Sequence, residues 1–324
     1  MNSHTLSAIR TRRRGRAVAG RRGESGRDTV RLNDFRIRDP YVLADATSGS
    51  YFLYGTTDPD PWSGQGVGFD AYRSTNLEDW SGPIAVFRPP ADFWGTTQFW
   101  APEVHAHSGR YFMFATFAGE ERSRGTQVLV AERPEGPFLP WSDGPVTPED
   151  WESLDGTLHI DPHGRPWLVF CHEWVQIGDG SIAALRLTSD LRKAATTPVV
   201  LFHASEAPWT RPVPGTGSYV TDGPFLTRDR ITGELVMLWS SLSDTGYTLG
   251  AARSSTGILG PWQHHDQPVW SQDGGHGMLF TTFDGRQMLA LHQPNDSPWE
   301  RATLLRPRGR GTTLSPAAPV LAET

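Results

Sequence analysis

Asp39-Pro40-Tyr41-Val42, a turn at Gly49, then Tyr51-Phe52-Leu53-Tyr54: a short apolar strand reverses into a second strand dense in aromatic residues, the pattern of a β-hairpin. The phrase returns four more times. Glu103-Val104-His105 leads through Gly109 to Tyr111-Phe112-Met113-Phe114, and Asp155-Gly156-Thr157-Leu158 through Gly164 to Trp167-Leu168-Val169-Phe170. Asp222-Gly223-Pro224-Phe225 leads through Gly233 to Leu235-Val236-Met237-Leu238, and His276-Gly277-Met278-Leu279 through Gly285 to Gln287-Met288-Leu289-Ala290. The openings lie about 50 to 70 residues apart, which marks a repeat architecture. In each of the first four units a further strand-like run and a turn follow, as in Asp70-Ala71-Tyr72-Arg73-Ser74 before Asn76-Leu77-Glu78-Asp79-Trp80. Units of four strands repeated five times predict an all-β, five-bladed β-propeller.

Blades are arranged radially, so residues that begin the innermost strands meet around one axis. Four of these openings supply a carboxylate (Asp39, Glu103, Asp155, Asp222) and the fifth a histidine, His276. Like charges a few Å apart repel and raise one another's pKa, so a scaffold gains nothing from this arrangement. An Asp in an Asp-Pro or Asp-Gly pair is often only a turn residue; five openings in one phase point instead to a site.

Composition agrees with a β-rich globular body: 34 Gly, 26 Pro and 13 Trp in 324 residues suit many short strands and tight turns. No stretch has the uninterrupted apolar length of a membrane span. The single Cys171 sits in an apolar run and reads as a buried, inert thiol. Residues 1–32 carry nine Arg against Glu24 and Asp28, although the whole chain has a net charge of −6. That basic arm lacks the apolar core of a signal peptide. It also lacks aromatics and amphipathic period, and the acidic body opposes polyanions, so neither nucleic acid nor membrane is an expected partner. The expected organisation is a disordered tail over 1–32, or a start codon assigned too far upstream, then a propeller over 33–310 and a C-terminal extension over 311–324. A cytoplasmic location follows as an expectation. Kelch and WD repeat signatures, a P-loop, a dinucleotide fingerprint and a nucleophile elbow are all missing from the sequence.

Arg38-Asp39-Pro40-Tyr41, Trp100-Ala101-Pro102-Glu103-Val104-His105, Leu154-Asp155-Gly156-Thr157-Leu158, Thr221-Asp222-Gly223-Pro224-Phe225 and Gly274-Gly275-His276-Gly277 together resemble glycoside hydrolase family 43, the five-bladed arabinofuranosidases, xylosidases and arabinanases. The resemblance runs from about Asp34 to Arg306. It implies an inverting hydrolase with Asp39 as general base, Asp155 as pKa modulator and orienter, and Asp222 as general acid, with no cofactor in the chemistry. One position departs: the family usually shows Glu-Gly-Pro where this chain has Asp222-Gly223-Pro224. The acid is one methylene shorter, and Glu173 is the substitute to examine.

In the resembling family the equivalent of His276 lies on the axis near a bound calcium or water-coordinated ion, which makes His276 the metal candidate. Only waters could complete the oxygen shell that Ca²⁺ prefers. For the sugar, Trp100, Trp94 and Phe99 are expected to form a stacking wall above Asp39, with Trp174 and Trp209 as lesser candidates. Glu103, Glu173 and Arg301 complete the substrate-binding set. The expected activity is exo-acting, inverting hydrolysis of a furanose or pentose glycoside, arabinofuranoside, galactofuranoside or xyloside, on a small oligosaccharide. Exo action rests on the insertion between Phe202 and Ser218, expected to wall off one end of the cleft. A non-catalytic sugar-binding propeller and a glycoside phosphorylase stand as alternatives; the second would need Arg and Lys clustered for phosphate.

Overall fold

A computed structural model describes residues 29–307. The expected C-terminal extension over 311–324, and the basic arm apart from residues 29–32, lie outside the described residues. Five antiparallel sheets follow one another along the chain. Blade one holds β1 (Arg38–Asp45), β2 (Ser50–Thr56), β3 (Phe69–Ser74) and β4 (Ser81–Phe87). Blade two holds β5 (Thr97–His107), β6 (Arg110–Gly119), β7 (Arg122–Ala131) and β8 (Leu139–Pro145). Blade three holds β9 (Ser153–Ile160), β10 (Pro166–His172), β11 (Ser181–Arg186) and β12 (Val199–His203). Blade four holds β13 (Asp222–Arg228), β14 (Leu235–Ser243), β15 (Gly246–Ser254) and β16 (Gln263–His264). Blade five has three strands among the described residues, β17 (Gly275–Thr281), β18 (Gln287–Gln293) and β19 (Arg301–Leu305). Each blade therefore carries the hairpin read from the sequence.

The inner hairpin of every blade turns at the expected glycine, and each of these adopts a left-handed φ: 62° at Gly49, 79° at Gly109, 74° at Gly164, 74° at Gly233 and 83° at Gly285. A Cβ would meet nothing there, so backbone conformation and not space selects glycine. Second strands lie between two neighbouring blades and are covered on both faces. β2 and β10 are accordingly buried along their whole length, and they read as continuous apolar runs where a half-exposed strand would alternate. Between blades one and two, Phe69, Phe87, Phe99 and Phe117 interlock with centroids 4.8 to 6.2 Å apart. Each such fully buried ring contributes about 1.5–3 kcal/mol. Phe99 belongs to this core, not to a sugar-facing wall.

The innermost strands share a further device. Near the axis each carries one extra residue: Arg38 pairs with Thr56 but Tyr41 with Tyr54, Trp100 with Thr116 but Glu103 with Phe114, Leu154 with Cys171 but Thr157 with Val169, Asp222 with Ser240 but Phe225 with Leu238, and Gly275 with His292 but Met278 with Ala290. These are five equivalent β-bulges, and the residue after each first-named one is left-handed: Asp39 (φ 53°), Ala101 (46°), Asp155 (57°), Gly223 (52°) and His276 (50°). A left-handed residue at this position is what a bulge of this kind requires.

Candidate active site

The bulges correct the phase read from the sequence. Asp39, Asp155 and His276 occupy one equivalent position, which blades two and four fill with Ala101 and Gly223. Asp222 stands one residue earlier, in the register of Arg38, Trp100, Leu154 and Gly275. Glu103 stands two residues later, paired with Phe114 in the register of Tyr41. It is buried deeper along the strand, where its Oε2 lies 3.1 Å from His105 Nε2. The shared feature that would have revealed the phase is the third residue, Pro40, Pro102 and Pro224 in blades one, two and four and Gly156 and Gly277 in the others.

Bulging frees a backbone N–H from the ladder, and in each blade it points at its predecessor. Ala101 N–H donates to Thr56 Oγ1 (2.9 Å), Asp155 N–H to Thr116 Oγ1 (2.9 Å), His276 N–H to Ser240 Oγ (2.8 Å) and Asp39 N–H to His292 Nδ1 (3.2 Å), the last closing the ring from blade five to blade one. Blade three offers Cys171 at the corresponding place, and a thiol is a weak acceptor. Gly223 N–H bonds instead to Asp155 Oδ2 at 2.9 Å. One carboxylate oxygen of Asp155 thereby fixes the backbone beside Asp222.

A cavity of about 300 Å³ opens over this ring, and Asp39, Asp155, Asp222 and His276 all line it. Asp39 is buried among cations and donors. Thr56 Oγ1 donates to its Oδ2 at 2.7 Å, His276 Nδ1 lies 3.2 Å from its Oδ1 and Arg38 Nε 3.7 Å away. Burial alone would raise its pKa, but the His276 cation and hydrogen bond, then Arg38, outweigh it and hold the carboxyl well below the ordinary range. His276 is the complement: burial opposes its charge, yet Asp39 and Asp155, the latter 3.7 Å from Nδ1, push it up to about 9. His292 Nδ1 also lies 3.5 Å from Asp39 Oδ1. Burial, then Arg38, depress its pKa to about 3, so it is neutral and its Nδ1 is the acceptor for Asp39 N–H.

Asp222 meets the opposite environment. Tyr247 Oη donates to its Oδ2 at 3.0 Å. Burial, reinforced by Asp155, pushes its pKa up to about 7. The cation that keeps Asp39 ionised is thus mainly His276, with Arg38 second. Glu173 also lines the cavity, but its Oε2 is ion-paired with Arg124, whose Nε donates to Gln98 Oε1 at 2.9 Å and whose guanidinium lies 4.7 Å from the ring centroid of Trp100. Burial raises the Glu173 pKa and Arg124 opposes it.

Of the expected sugar-facing aromatics, Trp100 and Trp174 line the cavity. Trp94 does not: it packs on Phe93 and Phe117 and its indole bonds Gln127. Trp209 is buried against Trp239, over Gly250 where a Cβ would strike its ring. Arg301 is spent on the carbonyls of Asn33 (3.1 Å), Pro298 (3.1 Å) and Glu300 (2.9 Å), and lies away from the cavity. The insertion between Phe202 and Ser218 contributes no lining residue. The rest of the wall includes Trp62, half exposed and 5.4 Å from Trp100, together with Tyr247 and Asn295, none of them expected from the sequence. Trp62 had a signal: it directly follows the turn-rich Asp58-Pro59-Asp60-Pro61, where the chain runs over the surface. The described residues offer no group of three or more His, Cys, Asp or Glu arranged to hold a metal ion. A cation at His276 would therefore depend on one imidazole and water.

A five-bladed propeller whose axis brings together two carboxyls with pKa values pushed apart is the arrangement of a glycosidase. The model of the glycosyl hydrolases family 43 matches residues 33–317, and the chain belongs to that family; it is a glycoside hydrolase. It is 39% identical to the structure of an endo-arabinase from Bacteroides thetaiotaomicron VPI-5482, with a TM-score of 0.79 over 85% of this chain and 95% of that one. An endo-1,4-β-xylanase from the same organism is 25% identical, with a TM-score of 0.71 over 90% and 99% of the two chains. Among curated proteins, the α-L-arabinofuranosidase 43 of Humicola insolens is 24% identical over 64% of this chain. That match spans 45% of the relative's own length, and the match to an extracellular endo-α-(1→5)-L-arabinanase of Bacillus subtilis spans 44%.

Proposed function

We propose that the chain is an exo-acting, inverting hydrolase of furanosides, with α-L-arabinofuranosides as the favoured substrate. The observation that carries this reading is the pair Asp39 and Asp222: one carboxyl held ionised by His276, the other kept protonated up to about pH 7 by burial and Asp155. In the reaction, Asp39 removes a proton from a water that attacks the anomeric carbon. Asp222 gives its proton to the glycosidic oxygen as the carbon–oxygen bond breaks, and the bond electrons pass to that oxygen. Asp155 reacts with neither partner; it holds Gly223 N–H and raises the pKa of Asp222 by its charge. Glu173, neutralised by Arg124, is a poorer acid and is assigned to substrate contact with Trp100. Similarity to an endo-arabinase and to an α-L-arabinofuranosidase supports arabinofuranosyl substrates. A cavity of about 300 Å³, at the small end for ligand pockets, suits a terminal sugar.

Endo action is the second reading, favoured by the endo-arabinase that this chain resembles at 39% identity. NMR of a linear (1→5)-α-L-arabino-oligosaccharide digest, read before mutarotation, tests both points. The proposal expects free arabinose from the first minutes, appearing first as the β anomer. A first-formed α anomer overturns the base assignment, and longer oligosaccharides preceding arabinose overturn exo action.

A further inference from the structure

Blade five breaks the pattern of the cavity wall. At the register where the other blades present Arg38, Trp100, Leu154 and Asp222, it has Gly275. A Cβ there would come within 2.5 Å of Tyr247 Cε1 and 2.7 Å of Ser240 Oγ. The phenol ring of Tyr247, from the start of β15, thus occupies the place a blade-five side chain would take. It is buried, stacked on His292 with centroids 5.5 Å apart and 20° between planes, and its hydroxyl lies 3.0 Å from Asp222 Oδ2.

We propose that Tyr247 is a positioning residue for the general acid: its hydroxyl donates to Oδ2 of Asp222 and leaves Oδ1 as the oxygen that carries and delivers the proton. The inference rests on the assignment of Asp222 made above. An aspartate reaches less far and has fewer torsions than a glutamate, so a single oriented donor fixes which of its oxygens faces the leaving group. Tyr247 is suited to donate and not to be ionised, because burial and then Asp222 raise its own pKa well above the ordinary value. The ionisable groups around Asp222 besides Tyr247 are Asp155, His276 and Glu173.

The test compares Tyr247→Phe, Asp222→Asn and the double variant on 4-nitrophenyl α-L-arabinofuranoside, which needs little protonation, and on (1→5)-α-L-arabinobiose, which needs it fully. Tyr247→Phe is expected to lose on the order of tenfold more kcat on the disaccharide than on the aryl glycoside, the worth of one hydrogen bond to an ionisable group. Its alkaline limb should move to higher pH, since the lost bond favoured the ionised carboxylate. In the double variant the tyrosine substitution should cost nothing beyond Asp222→Asn. Equal losses on both substrates, or additive losses in the double variant, overturn the role of Tyr247 while leaving Asp222 as the acid. An Asp222→Asn variant that shows no leaving-group dependence overturns the acid assignment itself.

Discussion

Blades one and four open alike and do opposite things. Arg38-Asp39-Pro40 and Asp222-Gly223-Pro224 occupy the same register, bulge at the same point and place a left-handed residue before the same proline. What differs is the position of the carboxylate, second in one blade and first in the other. At the second position Asp39 meets His276, Thr56 and Arg38. At the first, Asp222 meets the cavity wall and Tyr247. A slip of one residue within a common bulge is enough to make one carboxyl strongly acidic and its neighbour close to neutral. Four of the five residues on the left-handed position, Asp39, Ala101, Asp155 and His276, also bear the strain, of order 1–3 kcal/mol for a non-glycine residue held there, that blade four avoids with Gly223.

The comparison breaks most sharply at Asp39. Asn tolerates the left-handed region about as well as Asp, so Asp39→Asn is expected to fold and to lose roughly 10²- to 10⁴-fold in kcat with KM little changed, as removal of a general base demands. Steady-state kinetics that leave more than about a tenth of wild-type kcat would show that the two openings are not divided into base and acid. A smaller, graded effect sharpens it. Asp222 must be protonated to act, and its pKa lies at about 7, so kcat/KM should fall as pH rises through that value, about tenfold per unit beyond it. Asp39, shifted the other way, stays ionised throughout. A pH–rate profile flat from 6 to 9 would mean that the proton comes from another group.

The hairpins were legible because each is set by local chemistry: a glycine that must adopt positive φ, flanked by apolar runs long enough for one strand. Blade count and the convergence of Asp39, Asp155, Asp222 and His276 followed from them. The phase of the openings was harder to read, since the left-handed residue varies among Asp, Ala, Gly and His and only the Pro or Gly that follows it marks the bulge. Aligning on acids therefore drew Glu103 into the site, whereas aligning on Pro40, Pro102 and Pro224 would have put Ala101 there. Trp94, Phe99 and Arg301 show another limit: an aromatic or arginine near a site in sequence has two faces to choose from, and inter-blade packing or backbone carbonyls claimed these three. Tyr247 had no signal, because its role depends on the missing side chain of Gly275 two strands away.

The fifth blade, three-stranded among the described residues, has a mechanical meaning. Among the described residues no strand is shared between the first and last sheets. Side chains span the joint instead: Arg36 to Glu300 at 2.9 Å, Arg38 to the carbonyl of Asn295 at 2.8 Å, Arg301 to the carbonyl of Asn33 at 3.1 Å and Asp39 N–H to His292. Glu300 titrates below its ordinary range, since the hydrogen bonds from Arg36 and Ser297 outweigh its burial; its contribution is present above the unfolded pKa and is lost as the solution is acidified through the folded one. The enzyme is thus a hoop fastened by a polar buckle, and the buckle includes the backbone of its own base. Acid should loosen that fastening before the apolar blades give way, so that the activity midpoint in an acid titration lies at higher pH than the midpoint for tryptophan fluorescence.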